Sequence, residues 1–250
     1  MARGSDALSE QIAKLTWWHH IQVGPYVTPG HTDLAHQEWV ARNLPTNFLG
    51  ARVLDVGAWD GYFSFLAEER GAANVVAIDR FRHSTAFPDG LATFRLARDV
   101  RRSHVDYHLL DVVDVSQLRQ KFDIVLFLGV YYHLKDPILA LSAIHEVLAP
   151  NGIVFIEGLI RHGSEPLLRF YHGNEIEPST YCAATVSGIR RMCEVAGFSG
   201  TELVSISKGF RLGALLYSRI PQSLRAKLRS ARKALGLDSA LPRAILVSRA

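Results

Sequence analysis

The stretch Arg52-Val-Leu-Asp-Val-Gly-Ala-Trp-Asp-Gly-Tyr-Phe-Ser-Phe-Leu66 restricts what this chain can fold into more than any other. Val53, Leu54 and Val56 make a short β-branched and aliphatic run, the composition of a strand buried on both faces. Gly57 and Gly61 bracket a turn, and a glycine lets backbone come close to a ligand because no Cβ intervenes. Phe63, Leu66 and Ala67 then recur at helical spacing. A strand that runs through a glycine turn into a helix is the ligand-binding corner of a doubly wound α/β sheet.

The chemistry of the turn narrows the ligand. Three residues separate Gly57 from Gly61 and Trp59 stands in the middle, so the dinucleotide G-x-G-x-x-G spacing is absent. Asp55 and Asp60 flank the turn, and two carboxylates repel a pyrophosphate but suit a cation. S-adenosylmethionine (SAM), which carries a sulfonium and an ammonium, fits such a turn better than a dinucleotide. A plain glycine turn of some other α/β fold stays open until the rest of the chain is read.

The chain continues in alternating strands and helices. Asp33 caps a helix that runs to Asn43, with Leu34, Trp39 and Val40 on its apolar face and Pro45 as its stop. Gly71 ends the helix after the turn. Asn74–Asp79 is a second strand whose last residue, Asp79, is placed for ribose hydroxyls. Residues 91–102 are helical by pattern, and Val105–Leu110 is a third strand. Asp111 follows it, placed to face an adenine amino group and to cap the next helix, two roles that can coexist. Phe122–Leu128 is a fourth strand, Pro137 opens a helix at its first-turn position, and Ile153–Ile156 is a fifth strand with Glu157 just after it. Residues 161–184 break the alternation and read as a specificity insertion over the strand ends. Val186–Ala196 is a helix, Ser199–Ser207 a sixth strand and Arg243–Arg249 a last one.

Composition excludes several classes. The chain has 250 residues, 48% apolar and 21% charged, which suits one globular domain and not a disordered segment. No apolar run is long enough to span a membrane, and Met1–Leu15 lacks the apolar core of a secretory signal. Two cysteines, Cys182 and Cys193, show no zinc spacing, so a reduced cytoplasmic chain is expected. His19, His20, His31 and His36 have no carboxylate at a metal-ligand spacing, and no metal is expected. Against a chain total of +4, the seven basic residues within 211–233 leave the remainder at −3. The basic character therefore belongs to one segment, where Leu224, Leu228, Ala231 and Leu235 give an amphipathic helix at 221–235.

Five β/α units and two closing strands resemble the seven-stranded, Rossmann-like class I SAM-dependent methyltransferases, an α/β fold whose seventh strand is antiparallel. The resemblance rests on VLDVGAWDGYFSF, the acid after VVAI, the acid after the third strand, and FDIVLFLGVYYHLKDPILAL followed by LAPNG. Residues 1–48 then read as an N-terminal arm or lid, 49–160 as the SAM-binding core and 161–184 as the insertion. Residues 185–250 complete the same fold, with a basic helical insertion at about 209–238. WWHHIQVGPYVTPG, D-G-Y-F-S-F, LFLGVYYHLKDP and the terminal PRAILVSRA are similar to the tRNA wobble-uridine methyltransferase-like family. That family includes a carboxymethyltransferase using carboxy-SAM, in which a tyrosine and a C-terminal arginine at the positions of Tyr132 and Arg243 hold the extra carboxylate. Residues 17–48 contain no lysine where that enzyme is lysine-rich, so ordinary SAM is the expected donor and carboxy-SAM the lesser alternative.

The expected donor site is Asp55, Gly57, Asp60, Gly61, Asp79, Arg80, Asp111, Val112 and Leu128. His133, after the fourth strand, is the expected base for a hydroxyl acceptor, and packing of the following loop is its alternative role. Trp17, Tyr26, Tyr131, Tyr132, Tyr171 and Arg243 are expected around a small-molecule acceptor. The leading expectation is methyl transfer to a small molecule, on oxygen and in natural-product biosynthesis; the alternatives are methyl or carboxymethyl transfer to a tRNA wobble uridine, and SAM binding without transfer.

Overall fold

The computed structural model describes residues 2–80, 88–171, 179–207 and 241–250. Its centre is a seven-stranded sheet of β1 (Arg52–Val56), β2 (Asn74–Asp79), β3 (Asp106–Leu109), β4 (Phe122–Leu128), β5 (Leu148–Arg161), β6 (Gly200–Ile206) and β7 (Arg243–Arg249). The spatial order is β6-β7-β5-β4-β1-β2-β3, and β7 runs antiparallel to both of its neighbours while the other neighbouring pairs are parallel. The expected architecture with its antiparallel last strand is therefore the observed one.

The strands are apolar because both faces are covered. Side chains alternate across the pleat, so Leu54 and Val56 of β1 join one core and Val53 the other. The first core lies under α5 (Pro137–Val147) and α6 (Val186–Val195). The second lies under α1 (Ala2–Lys14), α2 (Leu34–Asn43), α3 (Tyr62–Glu69) and α4 (Gly90–Arg101). Local signals act as the sequence predicts: Asp33 accepts from the Ala35 N–H at 2.9 Å to cap α2, and Asp136 caps α5 with Pro137 at its first turn.

Three segments differ from expectation. Helix α1 escapes the pattern reading because its apolar stripe is narrow, with Leu8 and Ile12 one turn apart packing into the second core. Strand β5 is longer than Ile153–Ile156: Pro150-Asn151-Gly152 turns inside the strand, with Asn151 left-handed at φ +63°, and the register on β4 shifts there. The 161–184 insertion is partly sheet: Leu168–Phe170 pairs with Cys182–Thr185, which extends β5 through Ile160 and Arg161. Residues 172–178 and the amphipathic segment at 221–235 lie outside the described residues. Among the described residues, no helix is long and apolar enough to cross a membrane.

Tyr131 fastens this extension and so is not the pocket aromatic expected. It is buried, its hydroxyl donates to the Leu159 carbonyl, and it accepts from the Ala184 N–H at 3.2 Å. Burial, the largest influence, pushes its pKa up, so it stays a neutral phenol. Tyr131→Phe takes the hydroxyl away from two buried backbone groups. Urea unfolding should show a loss of about 1–3 kcal/mol.

Candidate active site

The site forms where the sheet order reverses, between β1 and β4, at the carboxyl ends of the strands. After β1 the chain turns sharply: Gly57 (φ +77°), Trp59 (φ +51°) and Gly61 (φ +87°) are all left-handed. A Cβ on Gly57 would stand 2.5 Å from Val130 Cγ2, and one on Gly61 would meet the Phe65 and Phe94 rings at 2.7–2.8 Å. Both positions thus need glycine for conformation and for space. Three successive amides of the turn donate to the end of β2: Gly57 and Ala58 to the Ile78 carbonyl, at 2.9 and 3.2 Å, and Trp59 to Asp79 Oδ2, at 2.9 Å.

The acids of the turn divide their work. Asp79 is buried at the tip of β2 and braces Trp59. Asp55 is buried under the turn and accepts from Ser64 Oγ at 2.6 Å. Burial pushes its pKa up to about 6, against the opposing pull of the Ser64 hydrogen bond and His19. Asp60 is fully buried but faces the N-terminal segment. It accepts from the Trp18 and His19 N–H groups at 2.9 and 2.8 Å and pairs with His19 Nδ1 at 2.5 Å. Asp60 is therefore not simply a second charge for the ligand. Asp111 caps the 3₁₀ turn Val112–Leu118 through Val113 N–H and lies 3.5 Å from Arg80 Nη1 at the rim of β2 and β3. Val112 and Leu128 are buried apolar residues flanking this corner.

A second polar cluster stands beyond β4. Glu157 of β5 binds Arg243 at both oxygens, 2.5 and 3.0 Å, and Arg243 Nη2 donates to Tyr132 Oη at 2.9 Å. Burial works against the Arg243 charge, but Glu157 and Tyr132 more than offset it, so the guanidinium stays protonated. His36 of α2 lies 3.6 Å from Glu157, and burial lowers its pKa despite that carboxylate. Gly129 (φ +74°) lies beside the group, and its N–H donates to the Glu157 carbonyl at 3.0 Å. His133 is half-buried beside the Tyr132 ring, and its Nδ1–H donates to the Ser179 carbonyl at 2.8 Å.

The expected residues thus separate. Asp55, Gly57, Asp60, Gly61 and Asp79 converge on the turn, and Tyr132, His133 and Arg243 gather after β4. Trp17 is fully buried, with Nε1 donating to the Ile12 carbonyl at 3.0 Å, so its side chain is part of the core. Tyr26 packs on that same core from a two-residue hairpin strand. Tyr171 lies on the insertion, accepting from Arg161 Nη1 at 2.8 Å. Glu157, His36, His19 and Gly129 are the residues that sequence reasoning missed. An acid directly after an apolar strand was the one available signal, and it pointed to Glu157.

Asp55 gives a stability prediction. Its raised pKa means that the native state holds the proton more tightly than the unfolded state. Stability from this group is full below about pH 4 and is lost as pH rises through the window between 3.8 and about 6. Asp55→Asn keeps an oxygen for Ser64 and cannot ionise. Denaturation above about pH 7 should show a gain on the order of 3 kcal/mol, vanishing below about pH 4.

A tRNA U34 carboxymethyltransferase of Campylobacter jejuni subsp. doylei is 27% identical over 216 residues, covering 83% of this chain and 70% of the relative. A tRNA U34 carboxymethyltransferase of Campylobacter hominis is 28% identical over 191 residues, covering 73% of this chain and 64% of the relative, so the chain spans less than two thirds of that protein. The crystal structure of the N-terminal domain of EvdMO1, in the presence of SAH and D-fucose, superposes with a TM-score of 0.65 at 17% identity, covering 100% of this chain and 98% of that one. At that identity the likeness concerns the fold. A family model described as a methyltransferase domain matches residues 30–203. That span holds the glycine turn, Asp79, Tyr132 and Glu157 together, and the chain belongs to the methyltransferase domain family.

Proposed function

We propose that the chain is a SAM-dependent methyltransferase that moves a methyl group to a hydroxyl oxygen of a small-molecule acceptor. The observation that carries the donor assignment is the turn after β1. Two glycines that a Cβ would obstruct stand among three buried carboxylates, Asp55, Asp60 and Asp79, with Asp79 at the tip of the next strand. Such a corner admits a cationic nucleoside and disfavours a pyrophosphate. In this reading Gly57 and Gly61 give backbone access, Asp79 takes the ribose hydroxyls and Asp111 the adenine amino group. Val112 and Leu128 supply apolar contact, and Arg80 closes the rim. The absence of lysine from residues 17–48 favours SAM over carboxy-SAM.

Bound SAM supplies an electrophilic methyl group on a sulfonium. The chain supplies position and a place for the acceptor's proton. A carbonyl only accepts, so the Nδ1 contact of His133 with Ser179 requires the proton on Nδ1. The neutral ring then carries its lone pair on Nε2, and we assign that atom to take the proton of the acceptor hydroxyl. Tyr132, Tyr171 and Arg243 belong to the acceptor side. Cys182 and Cys193 are free and buried, in keeping with a cytoplasmic setting.

The tRNA reading draws on the motifs shared with the wobble-uridine family, on the basic segment at 221–235 and on the names of the Campylobacter relatives. Turnover of SAM on bulk tRNA, with binding that falls steeply with salt, would select it. Turnover on a protein-free extract of small molecules selects the first reading.

Two variants test the assignments. Asp79→Ala should weaken SAM binding by about 1.5–3 kcal/mol, the worth of hydrogen bonds to a charged group; unchanged affinity by calorimetry would refute the ribose role. His133→Ala should cut turnover on the identified acceptor roughly 100-fold or more with SAM affinity held. Equal rates across pH would remove His133 from the chemistry.

A further inference from the structure

Residues 17–20 are fastened to the donor turn, while the flanking residues bond to α4 and its N-terminus: the Thr16 N–H donates to Asp89 Oδ2 at 3.1 Å and Arg101 Nη1 donates to the Gln22 carbonyl at 2.6 Å. Asp60 lies inside the turn, between Gly57 and Gly61, yet among the described residues its carboxylate is bonded from the arm: by Trp18 N–H, His19 N–H and His19 Nδ1. The Trp18 ring packs on Trp59 with centroids 4.9 Å apart and planes 32° from parallel. The His19 ring stacks on Tyr62, at the start of α3, at 5.5 Å.

Trp59 is the strained point of the turn. A bulky residue at φ +51° is unfavourable and persists only where its surroundings hold it. It is held from two sides: Trp18 lies against its ring, and Asp79, the acid assigned to the ribose, accepts from its N–H. The arm, the strained residue and the ribose acid are thus consecutive links of one chain of contacts.

Residues 19–28 are braced against α2 and against each other. Gln37 is buried and exchanges two hydrogen bonds with the His20 backbone, both 2.9 Å. Thr28 Oγ1 donates to the His19 carbonyl at 2.7 Å and accepts from the Ile21 N–H at 2.8 Å. A segment so braced behind can transmit its seating to the turn in front.

We propose that Asp60 is a positioning residue that sets methyl-donor affinity by seating residues 17–20 against Trp59, and that donor binding and arm seating are thermodynamically coupled. The inference rests on the SAM reading above. Coupling is reciprocal, so whatever loosens the arm weakens the donor, and donor binding must tighten the arm.

The test uses S-adenosylhomocysteine as the probe on the full chain. Calorimetry compares the wild type with Asp60→Asn, which keeps the shape and loses the charge, and with Trp18→Ala, which leaves Asp60 in place. Amide hydrogen exchange at Trp18, His19 and His20 is followed with and without the probe. Affinity should fall roughly 5- to 150-fold in both variants, and the probe should slow exchange at these amides in the wild type. A purely structural Asp60 would lower the melting temperature of the variants and leave affinity of the folded fraction and arm exchange unmoved. Tight probe binding in the wild type with unmoved variants and unmoved arm exchange overturns the coupling and leaves the donor reading standing. No probe binding by the wild type overturns both. If Asp60→Asn does not fold, Trp18→Ala and the wild-type exchange data decide alone.

Discussion

Three consecutive amides of the turn after β1 donate to the last two residues of β2, and the site hangs on that contact. The contact exists because β1 and β2 are parallel and in register from Arg52↔Asn74 to Val56↔Ile78. Both strands therefore end at the same level, and the chain leaving β1 must cross the tip of β2. Crossing there requires left-handed backbone, which glycine adopts without cost and Trp59 adopts under constraint. The same crossing brings Asp79 to the turn, so backbone geometry and ligand chemistry have one cause.

The charges around this corner are satisfied by different means. Asp60 has the arm, Asp55 has Ser64 and its own elevated pKa, and Asp79 has a single turn amide among its partners. On the other side of β1, Glu157 and Arg243 form a bidentate pair braced by Tyr132. A buried pair of this kind contributes less to stability than to a defined arrangement, because desolvation offsets much of the attraction. The turn after β1 is thus acidic, while the cluster beyond β4 is charge-balanced.

Much of this was legible in the residues. Asn74–Asp79, Phe122–Leu128 and Arg243–Arg249 are strands with the expected limits, since long apolar runs between turn residues have few other solutions. Asp33, Gly71 and Pro137 mark helix ends because capping depends on local backbone alone. Trp17 and Tyr131 misled for one physical reason. An aromatic near a motif has the same composition whether it lines a cleft or supports it, and only packing separates the two.

Helix α1 and the Cys182–Thr185 extension mark the limit of pattern reading. The first has too few apolar positions to announce itself, and the second is a strand only because the end of β5 is there to pair with it. The sequence by itself determined the alternation of strands and helices, the glycine turn and the acids around it, because each follows from local backbone and side-chain chemistry. Tertiary structure alone decided that Asp60 serves the arm, that Glu157 meets Arg243 from 86 residues away and that His36 stands beside them. Those are contacts between distant segments, and their partners are chosen by strand order and register, which no local pattern encodes.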